Sequence, residues 1–457
     1  MKEYDVIVIG SGAGMLIVER AVAAGLTVAL VEKGLIGGTC LNVGCIPSKM
    51  LIYPADRIVE IQEGVKLGIE TQITSIDFNG IMERMRTLIA HDRAQMHRGI
   101  EHTQNLDLYR GEGVFTADYT LAVNGEQIRG ERIFIASGAR PVVPQITGIN
   151  EVQYLTNESV FNLKTRPESI VIVGGGYIAT EYGHFFAAMG TDVTIVQRGA
   201  GLLRHEEPEI AALLQRELAR RMTIATGTEV SAVRQQGAQC VVTARDRATG
   251  SEREFAAENV MIAVGRRSNA DRLKVDRTGV ETDDRAYIRV NDYLETSMER
   301  IWALGDAIGK YMFRHVANQE ALVAWHNSTQ HTEHVKMDYH AIPHAVYSWP
   351  QIAAVGLTEG QAMRDHEILV GTAHYSEVAK GQAMRDEASF AKTIVDRESN
   401  RILGFHIIGP HAPLLIQEVV QIMADDRDYR ALGRGMHIHP ALSEVILATL
   451  RNLRAVE

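Results

Sequence analysis

The chain has 457 residues, of which 46% are hydrophobic and 23% charged, and its formal net charge is -10 at pH 7. This composition is typical of a globular protein with roughly two to four domains, and the acidic balance argues against a nucleic-acid partner. An apolar strand begins at Tyr4, and no apolar run approaches the roughly 18 residues of a membrane span. We therefore expect neither a signal peptide nor a membrane-spanning helix, and a cytoplasmic location.

The first elements of the chain predict a dinucleotide-binding unit. Residues 4–34 read as strand YDVIVIG, glycine turn GSGAGM, a helix, and a second strand that ends in an acid. Gly10 and Gly12 can form the turn and admit a pyrophosphate, and Glu32 can accept hydrogen bonds from a ribose diol. Met15 stands where the pattern has its third glycine, so we expect looser packing of helix against strand there. We assign FAD to this unit.

Two of the three cysteines follow this unit in GGTCLNVGCIPSK, residues 37–49. Cys240, the third, stands alone in an apolar run, so a second cysteine pair for structural zinc is missing and we predict no metal site. In a reducing compartment, a pair such as Cys40 and Cys45 is more often catalytic or metal-binding than a structural disulfide.

Residues 169–198 repeat the strand, turn, helix and strand pattern, with Gly174, Gly176 and a small third residue, Ala179. This second unit ends in Gln197 instead of an acid, and Arg198 and Arg204 follow. A neutral residue with two arginines suits a 2'-phosphate, although solvated surface arginines are the alternative. We therefore predict NADPH, rather than NADH, in the second unit.

A candidate acid and base lies near the end of the chain, in HPALSE, residues 439–444. A short turn between His439 and Glu444 would bring the carboxylate to the imidazole and fix its tautomer. His437 lies two residues earlier and is the alternative histidine.

Several long segments occur in the order seen in the flavoprotein disulfide reductases, and the chain resembles class I of that family. These segments are GGTCLNVGCIPSK, GEGVF (111–115), IFIASGARPVVP (133–144), GGGYIATE (174–181), AVGRRSN (263–269), IWALGDA (301–307) and HPALSE. The resemblance covers nearly the whole chain and falls in the branch with dihydrolipoamide dehydrogenase, glutathione reductase and mycothione reductase. LLRH (202–205), HVAN (315–318), EVAKGQAM (377–384) and HIHPAL (437–442) are most similar to the mycothione reductases.

The resemblance implies an α/β fold with two Rossmann-like dinucleotide-binding domains and an α+β dimerisation domain. We expect an FAD-binding domain at 1–150 and 272–338, an NAD(P)-binding domain at 151–271, and an interface domain at 339–457. It also implies a homodimer with shared active sites and a role in cell redox homeostasis.

Roles for individual residues are implied in the same way. Cys40 would attack the substrate, and Cys45 would be the thiolate next to the flavin. Lys49 would lie near flavin N5 and pair with Glu181, while His439, oriented by Glu444, would reach the active site of the other subunit. Tyr177 would cover the flavin until nicotinamide enters. The expected FAD-binding residues are Gly10, Gly12, Gly14, Glu32, Lys33, Gly38, Thr39, Gly113, Ser137, Gly138, Asp306 and Ala317. The expected NADPH-binding residues are Gly174, Gly176, Tyr177, Ala179, Gln197, Arg198, Arg204 and Gly265.

The favoured function is an NADPH-dependent, FAD-containing reductase of a low-molecular-weight, mycothione-like disulfide. Electrons would pass from NADPH to FAD, then to the Cys40–Cys45 pair and to the substrate. The alternative is an NAD-dependent dihydrolipoamide dehydrogenase, against which Gln197, Arg198 and Arg204 argue. A third alternative, a catalytically silent flavoprotein, conflicts with the presence of both cysteines and of His439 with Glu444. No motif identifies the disulfide itself.

Overall fold

The computed structural model describes residues 1–330 and 332–456. Within them the β-strands are β1 (Lys2–Ile9), β2 (Val28–Glu32), β3 (Leu106–Arg110), β4 (Gly113–Ala117), β5 (Thr120–Val123), β6 (Glu126–Ile135), β7 (Ala139–Pro141), β8 (Tyr154–Leu155), β9 (Ser169–Val173), β10 (Asp192–Val196), β11 (Thr223–Ala225), β12 (Thr228–Gln236), β13 (Gln239–Asp246), β14 (Glu252–Ala257), β15 (Asn259–Ile262), β16 (Arg266–Ser268), β17 (Ile301–Ala303), β18 (Pro343–Val346), β19 (Ile352–Gly356), β20 (Ile368–His374), β21 (Phe390–Asp396), β22 (Ile402–Ile408) and β23 (Arg454–Ala455).

The α-helices are α1 (Gly14–Ala23), α2 (Gly38–Val43), α3 (Cys45–Glu63), α4 (Phe78–Glu101), α5 (Tyr177–Ala188), α6 (Pro208–Leu218), α7 (Ala270–Leu273), α8 (Arg314–Thr329), α9 (Glu359–Ala362), α10 (Ala379–Met384), α11 (Ala412–Leu415), α12 (Gln417–Ala424) and α13 (Glu444–Arg451). Among the residues described, no helix combines the length and the apolar character that crossing a membrane requires.

Two parallel sheets repeat one architecture. The first has the strand order β3-β2-β1-β6-β17, and the hairpin β4–β5 joins β6 in antiparallel fashion. The second has the order β11-β10-β9-β15-β8, and the antiparallel strands β12, β13 and β14 form a small sheet within the same segment. Strands β1, β2, β9 and β10 are largely buried and apolar, as expected when helices cover both faces of a parallel sheet. The predicted pair of Rossmann-like units is confirmed.

The last part of the chain forms a separate antiparallel sheet with the order β18-β19-β22-β21-β20-β23. Helix α13 packs against β20 and β21. This unit is the predicted α+β element of the fold, so the fold class is confirmed. The exact domain limits of 1–150 with 272–338, 151–271 and 339–457 stay a prediction.

In each dinucleotide unit, the first glycine lies so close to a backbone carbonyl group that no side chain would fit. A Cβ atom on Gly10 would lie 2.3 Å from the carbonyl oxygen of Ala136, and one on Gly174 would lie 2.2 Å from that of Ala263. Both glycines also have positive φ angles, of 103° and 129°. Since only glycine tolerates both conditions, the two turns follow from the sequence.

The prediction of loose packing at Met15 is wrong. The close contact between helix and strand is made by Gly14, one residue earlier in the chain. Gly14 begins α1, and a Cβ atom there would lie 2.7 Å from Cγ1 of Val8 on β1. Helix and strand are therefore tightly packed at Gly14, while the Met15 side chain lies partly buried against the core.

Candidate active site

A cavity of about 980 Å³ lies at the ends of the first parallel sheet and extends to α2, α3, α5 and β18. Its wall includes the predicted FAD-binding residues apart from Gly14: Gly10, Gly12, Glu32, Lys33, Gly38, Thr39, Gly113, Ser137, Gly138, Asp306 and Ala317. The same wall holds Cys40, Cys45, Lys49, Tyr177 and Glu181. The fold thus brings together residues from segments as distant in sequence as 10 and 317.

The cavity wall fits a dinucleotide. A Cβ atom added to Gly12 would meet nothing within 4 Å, so its backbone faces open space. Gly38 lies directly behind this turn, where a Cβ atom would be 2.8 Å from Cα of Gly12. Ser137 Oγ is buried and has no hydrogen-bond partner among the described residues, so this hydroxyl is free to bind a ligand group. These features suit the close approach of a pyrophosphate to the backbone.

Glu32 is held at the end of β2 by its neighbours. Its Oε2 atom accepts hydrogen bonds from the backbone N–H of Ser11 at 2.9 Å and from Ser11 Oγ at 2.7 Å, while Oε1 accepts from Gly34 N–H at 2.7 Å. A carboxylate has about four acceptor sites, so capacity remains for a ribose diol. Lys33 follows and lies 3.9 Å from Glu112.

The two cysteines lie on consecutive helices. Cys40 is in the short helix α2, and Cys45 is the first residue of the 19-residue helix α3. Gly44 allows the tight connection between them, because a Cβ atom there would lie 2.8 Å from the carbonyl oxygen of Thr39. The two cysteines are free in this structure and lie within hydrogen-bonding distance of each other.

The environment of the pair favours a thiolate on Cys40. The pKa of Cys40 is lowered to about 7, chiefly by a hydrogen bond from the Cys45 thiol and also by the positive charge of Arg314 and the backbone N–H groups of Cys45 and Ile46, which together outweigh the cost of burial. Its hydrogen bond to Cys40 and its burial raise the pKa of Cys45. The start of α3 also contributes the positive end of a helix dipole. The pair therefore loses a first proton more readily than an ordinary thiol does.

Lys49 and Glu181 form the predicted ion pair between α3 and α5. Lys49 Nζ lies 2.7 Å from Glu181 Oε2, and the carboxylate is buried, with a side-chain exposure of 6%. The other oxygen, Oε1, accepts a hydrogen bond of 2.9 Å from the backbone N–H of Tyr347. Lys49 Nζ also lies 4.5 Å from the centre of the Tyr347 ring. The ammonium group is thus fixed at the cavity wall.

Tyr177 and Asp306 both line this cavity. Tyr177 is the first residue of α5 and remains 40% exposed, as a side chain that covers an opening would be. Burial raises the pKa of Asp306, and the guanidinium group of Arg266, with Nε 3.5 Å away, opposes this effect.

The second glycine turn lies outside this cavity and is also open. A Cβ atom on Gly176 would meet nothing within 4 Å, whereas one on Gly175 would lie 2.7 Å from Cγ of Gln197. Gln197 therefore packs against the turn itself. Ala179 is fully buried in α5, and Gly265 follows β15 with a φ angle of 127°.

The two predicted arginines flank this turn. Leu203 N–H donates a hydrogen bond of 2.8 Å to the carbonyl oxygen of Gly175, which brings the next residue, Arg204, back to the turn. Arg198 directly follows Gln197, and both arginine side chains are exposed. Neither forms an ion pair with a carboxylate in the part of the chain that the structure describes. Arg204 Nε donates a hydrogen bond of 3.0 Å to His205 Nε2, so the positive charge of both arginines is still open to an anionic ligand.

His439 and Glu444 form the predicted pair away from the cavity. His439 Nδ1 lies 3.0 Å from Glu444 Oε1, and Glu444 Oε2 also accepts from the backbone N–H of Ala441 at 3.0 Å. These two hydrogen bonds, the second being the stronger influence, lower the pKa of Glu444. The imidazole is 71% exposed and does not line the cavity of its own chain. Met436 and Ile438 beside it are 102% and 78% exposed.

Sequence reasoning missed two residues of the site. Arg314, at the start of α8, lines the cavity and acts on Cys40, and Tyr347 contacts both Lys49 and Glu181. Arg314 directly precedes the HVAN segment, residues 315–318, and that segment was the sequence signal from which its place in the site could have been inferred. Tyr347 makes its hydrogen bond through the backbone, so its side chain carried no sequence signal for this role.

The chain is similar over almost its full length to known enzymes. It is 37% identical to mycothione reductase from Mycobacterium tuberculosis over 466 residues, which covers 99% of this chain and 100% of that protein. It is 32% identical to dihydrolipoyl dehydrogenase from Synechocystis over 97% of each chain. It is also 32% identical to mercuric reductase from Staphylococcus aureus, over 90% of this chain and 75% of that protein.

The fold is also that of a solved structure, the HOCl-induced flavoprotein disulfide reductase RclA from Escherichia coli. The TM-score is 0.87 at 27% identity, over 98% of this chain and 99% of that chain. Residues 4–321 match the family model of pyridine nucleotide-disulphide oxidoreductases, and residues 342–449 match the dimerisation domain of that family. The predicted family, enzyme class and dimerisation domain are thereby confirmed. The chain belongs to the pyridine nucleotide-disulphide oxidoreductase family and is a flavoprotein disulfide reductase that uses a flavin and a pyridine nucleotide.

Proposed function

We propose that this chain is a cytoplasmic, NADPH-dependent, FAD-containing reductase of a low-molecular-weight, mycothione-like disulfide. The observation that carries the proposal is the Cys40 thiol, which is held against Cys45 at the start of α3 in the same cavity as the FAD-fitting glycines. The similarity to mycothione reductase over 99% of the chain supports this substrate class.

The cofactor FAD, when bound, supplies the means to accept a hydride from NADPH and pass two electrons to a disulfide. The chain supplies the thiol chemistry. Cys40 Sγ attacks one sulfur of the substrate disulfide, and the first thiol leaves as a mixed disulfide forms. Cys45 then attacks Cys40 Sγ and releases the second thiol, so the protein becomes the disulfide and the substrate gains two electrons. The partner subunit's His439 supplies the proton that the leaving thiolate needs.

Lys49 provides a fixed positive charge at the cavity wall. Its pairing with Glu181 and its contact with Tyr347 hold the ammonium group in one place, where it would stabilise negative charge on a reduced cofactor. A preorganised charge of this kind needs no rearrangement during the reaction.

The choice of NADPH is supported by the second glycine turn. Gln197 packs on Gly175 and leaves no carboxylate at the end of β10, while the Leu203 hydrogen bond keeps Arg204 beside the turn. An acid at position 197 would repel a 2'-phosphate, and two arginines with no carboxylate partner among the described residues attract it.

The first prediction concerns this preference. Replacing both arginines, Arg198→Ala/Arg204→Ala, removes charge-assisted hydrogen bonds worth about 1.5–3 kcal/mol each, so kcat/KM for NADPH should fall by roughly a hundredfold or more. The value for NADH should hardly change. The measurement is steady-state kinetics with both cofactors, and Arg216→Ala, an exposed arginine on α6, is the matched control.

Two outcomes would contradict the proposal. A wild-type enzyme that prefers NADH tenfold would favour a dihydrolipoamide dehydrogenase, which oxidises dihydrolipoyl groups with NAD. A panel of disulfides, with lipoamide included, tests the substrate class separately: turnover of lipoamide alone would exclude a mycothione-like substrate.

A further inference from the structure

A second polar contact joins the same two helices that carry Lys49 and Glu181. His184 Nε2 on α5 lies 2.8 Å from Asp56 Oδ1 on α3. The exposures of these residues are 0% and 4%, so the contact is sealed from solvent. Burying a carboxylate and an imidazole is costly unless they are paired, so this pair contributes strongly to how the helices fit together.

The two contacts form two tiers between α3 and α5, with Lys49–Glu181 as the first tier and Asp56–His184 as the second. Asp56 lies seven residues after Lys49, two turns along α3, and His184 lies three residues after Glu181 on α5. Between Lys49 and Glu181 the hydrogen-bond donor, Lys49, is on α3. Between Asp56 and His184 the donor, His184, is on α5. Each tier also accepts a hydrogen bond from the segment between β18 and β19 of the antiparallel sheet. Tyr347 N–H donates to Glu181, and Gln351 Nε2 donates to Asp56 Oδ2 at 3.2 Å. All three structural units therefore meet at both tiers.

A proline separates the tiers on α3. Pro54 lies inside the helix and has no N–H group to donate to the turn before it. The helix alone is therefore weakest between Lys49 and Asp56. The Asp56–His184 contact fixes α3 on the far side of this weak point, while Lys49–Glu181 fixes it on the near side.

The chemistry of the pair fits a permanent clamp. Burial lowers the pKa of His184, opposed by its hydrogen bond to Asp56, which favours a neutral ring that donates through Nε2 to the carboxylate. The ring also stacks on Trp349, with centroids 6.5 Å apart. Trp349 Nε1 donates in turn to Glu63 at the end of α3, at 2.7 Å.

We propose that Asp56 and His184 are positioning residues for the reaction: they hold α3 against α5 so that Lys49 stays on Glu181 and Cys45 stays in its place in the cavity. This inference rests on the proposed roles of Lys49 and Cys45, and it assigns a function to a pair that touches neither the substrate nor the cavity. The pair acts through the geometry of the first tier.

The test compares three variants in the FAD-loaded enzyme. His184→Leu keeps the volume but removes the donor, so it should lower kcat about tenfold, the scale expected when a catalytic group is slightly misplaced. The KM for NADPH should not change, because the nucleotide turn is untouched. The long-wavelength charge-transfer absorbance of the two-electron-reduced enzyme, which reports on Cys45 beside the flavin, should weaken.

Two further variants serve as comparisons. His184→Gln keeps a hydrogen-bond donor and should retain most of the kcat and most of the charge-transfer absorbance. Arg57→Gln, next to Asp56 but exposed and paired with Glu60, is the matched control.

A second measurement separates positioning from general stability. In a Lys49→Met background, the further loss of kcat caused by His184→Leu should shrink, because one of the two groups being positioned is already gone. If His184→Leu does not fold, Asp56→Asn keeps the size and an acceptor oxygen and should give the same spectral change at smaller amplitude.

A folded, FAD-loaded variant with unchanged kcat and unchanged absorbance would overturn the proposal, as would equal losses with and without Lys49. Because the absorbance is compared with that of the wild type, it does not depend on which disulfide or which nicotinamide cofactor the enzyme uses.

Discussion

At the scale of single residues, the cysteine pair is asymmetric. The Cys45 thiol donates to Cys40, and Arg314 adds a positive charge, so the pKa of Cys40 falls to about 7 while that of Cys45 rises. The sulfur expected to attack the substrate is thus the one that loses its proton first. A pKa close to the working pH also suits a thiol that must act as both nucleophile and leaving group.

The second prediction follows from this pKa. The thiolate is the reactive form, so alkylation of the reduced chain by iodoacetamide should accelerate as pH rises through about 7. Arg314→Ala should move the midpoint upward, because the thiolate loses a nearby cation. The site of alkylation is read by mass spectrometry, with Cys40→Ser as the control. A midpoint near that of an ordinary thiol in the wild type would contradict the assigned environment.

At the scale of elements, the position of each dinucleotide turn depends on close contacts that only glycine permits. Gly10 and Gly174 approach backbone carbonyl groups, and Gly14 sets the distance between α1 and β1. The turn, the helix and the strand therefore form one rigid unit.

The third prediction tests this packing. Gly14→Ala would place a methyl group 2.7 Å from Val8 Cγ1 and should destabilise the chain by about 1–3 kcal/mol, with loss of bound FAD. Gly99→Ala is the matched control: Gly99 lies in α4 with nothing within 4 Å, so the change should stabilise by about 0.5–1 kcal/mol. Urea unfolding and flavin absorbance measure both effects. Equal stabilities of the two variants would contradict the prediction, because they would show that a methyl group at position 14 does not destabilise the packing of α1 on β1.

The elements also show what the sequence could and could not reveal. The glycine turns and the placement of Cys40 and Cys45 just after the first dinucleotide unit were predictable, because their signals lie within short segments. The shift of the tight contact from position 15 to Gly14 was not, because it depends on how α1 rolls on β1. Asp56 and His184 are 128 residues apart and look like ordinary helix residues, so only the folded chain shows that they meet.

At the scale of the whole molecule, both cysteines of a single chain line its cavity, whereas His439 of that chain does not. His439 lies on the surface, next to exposed apolar residues, in the segment that matches the dimerisation domain. A homodimer with shared sites would bring this histidine to the cavity of the other subunit.

The fourth prediction is complementation between two inactive variants. His439→Ala should lower turnover by roughly 10²-fold or more, because a positioned proton-transfer group is lost. Mixing it with Cys40→Ser should restore activity, since each heterodimer would contain one site with both residues. His437→Ala is the matched control, because that ring is bound to Glu418 at 3.0 Å and is not assigned to catalysis. Absence of recovery after verified subunit exchange would contradict a shared site.

The exposure of His439 has a consequence for how activity scales with the amount of protein. If each site needs a histidine from a second chain, the number of working sites follows the law of mass action for association, and not the number of folded chains. Specific activity should then decline on dilution before any unfolding is visible. A freshly synthesised or dissociated chain would bind its cofactors without sustained turnover of the disulfide, so assembly itself would switch the enzyme on.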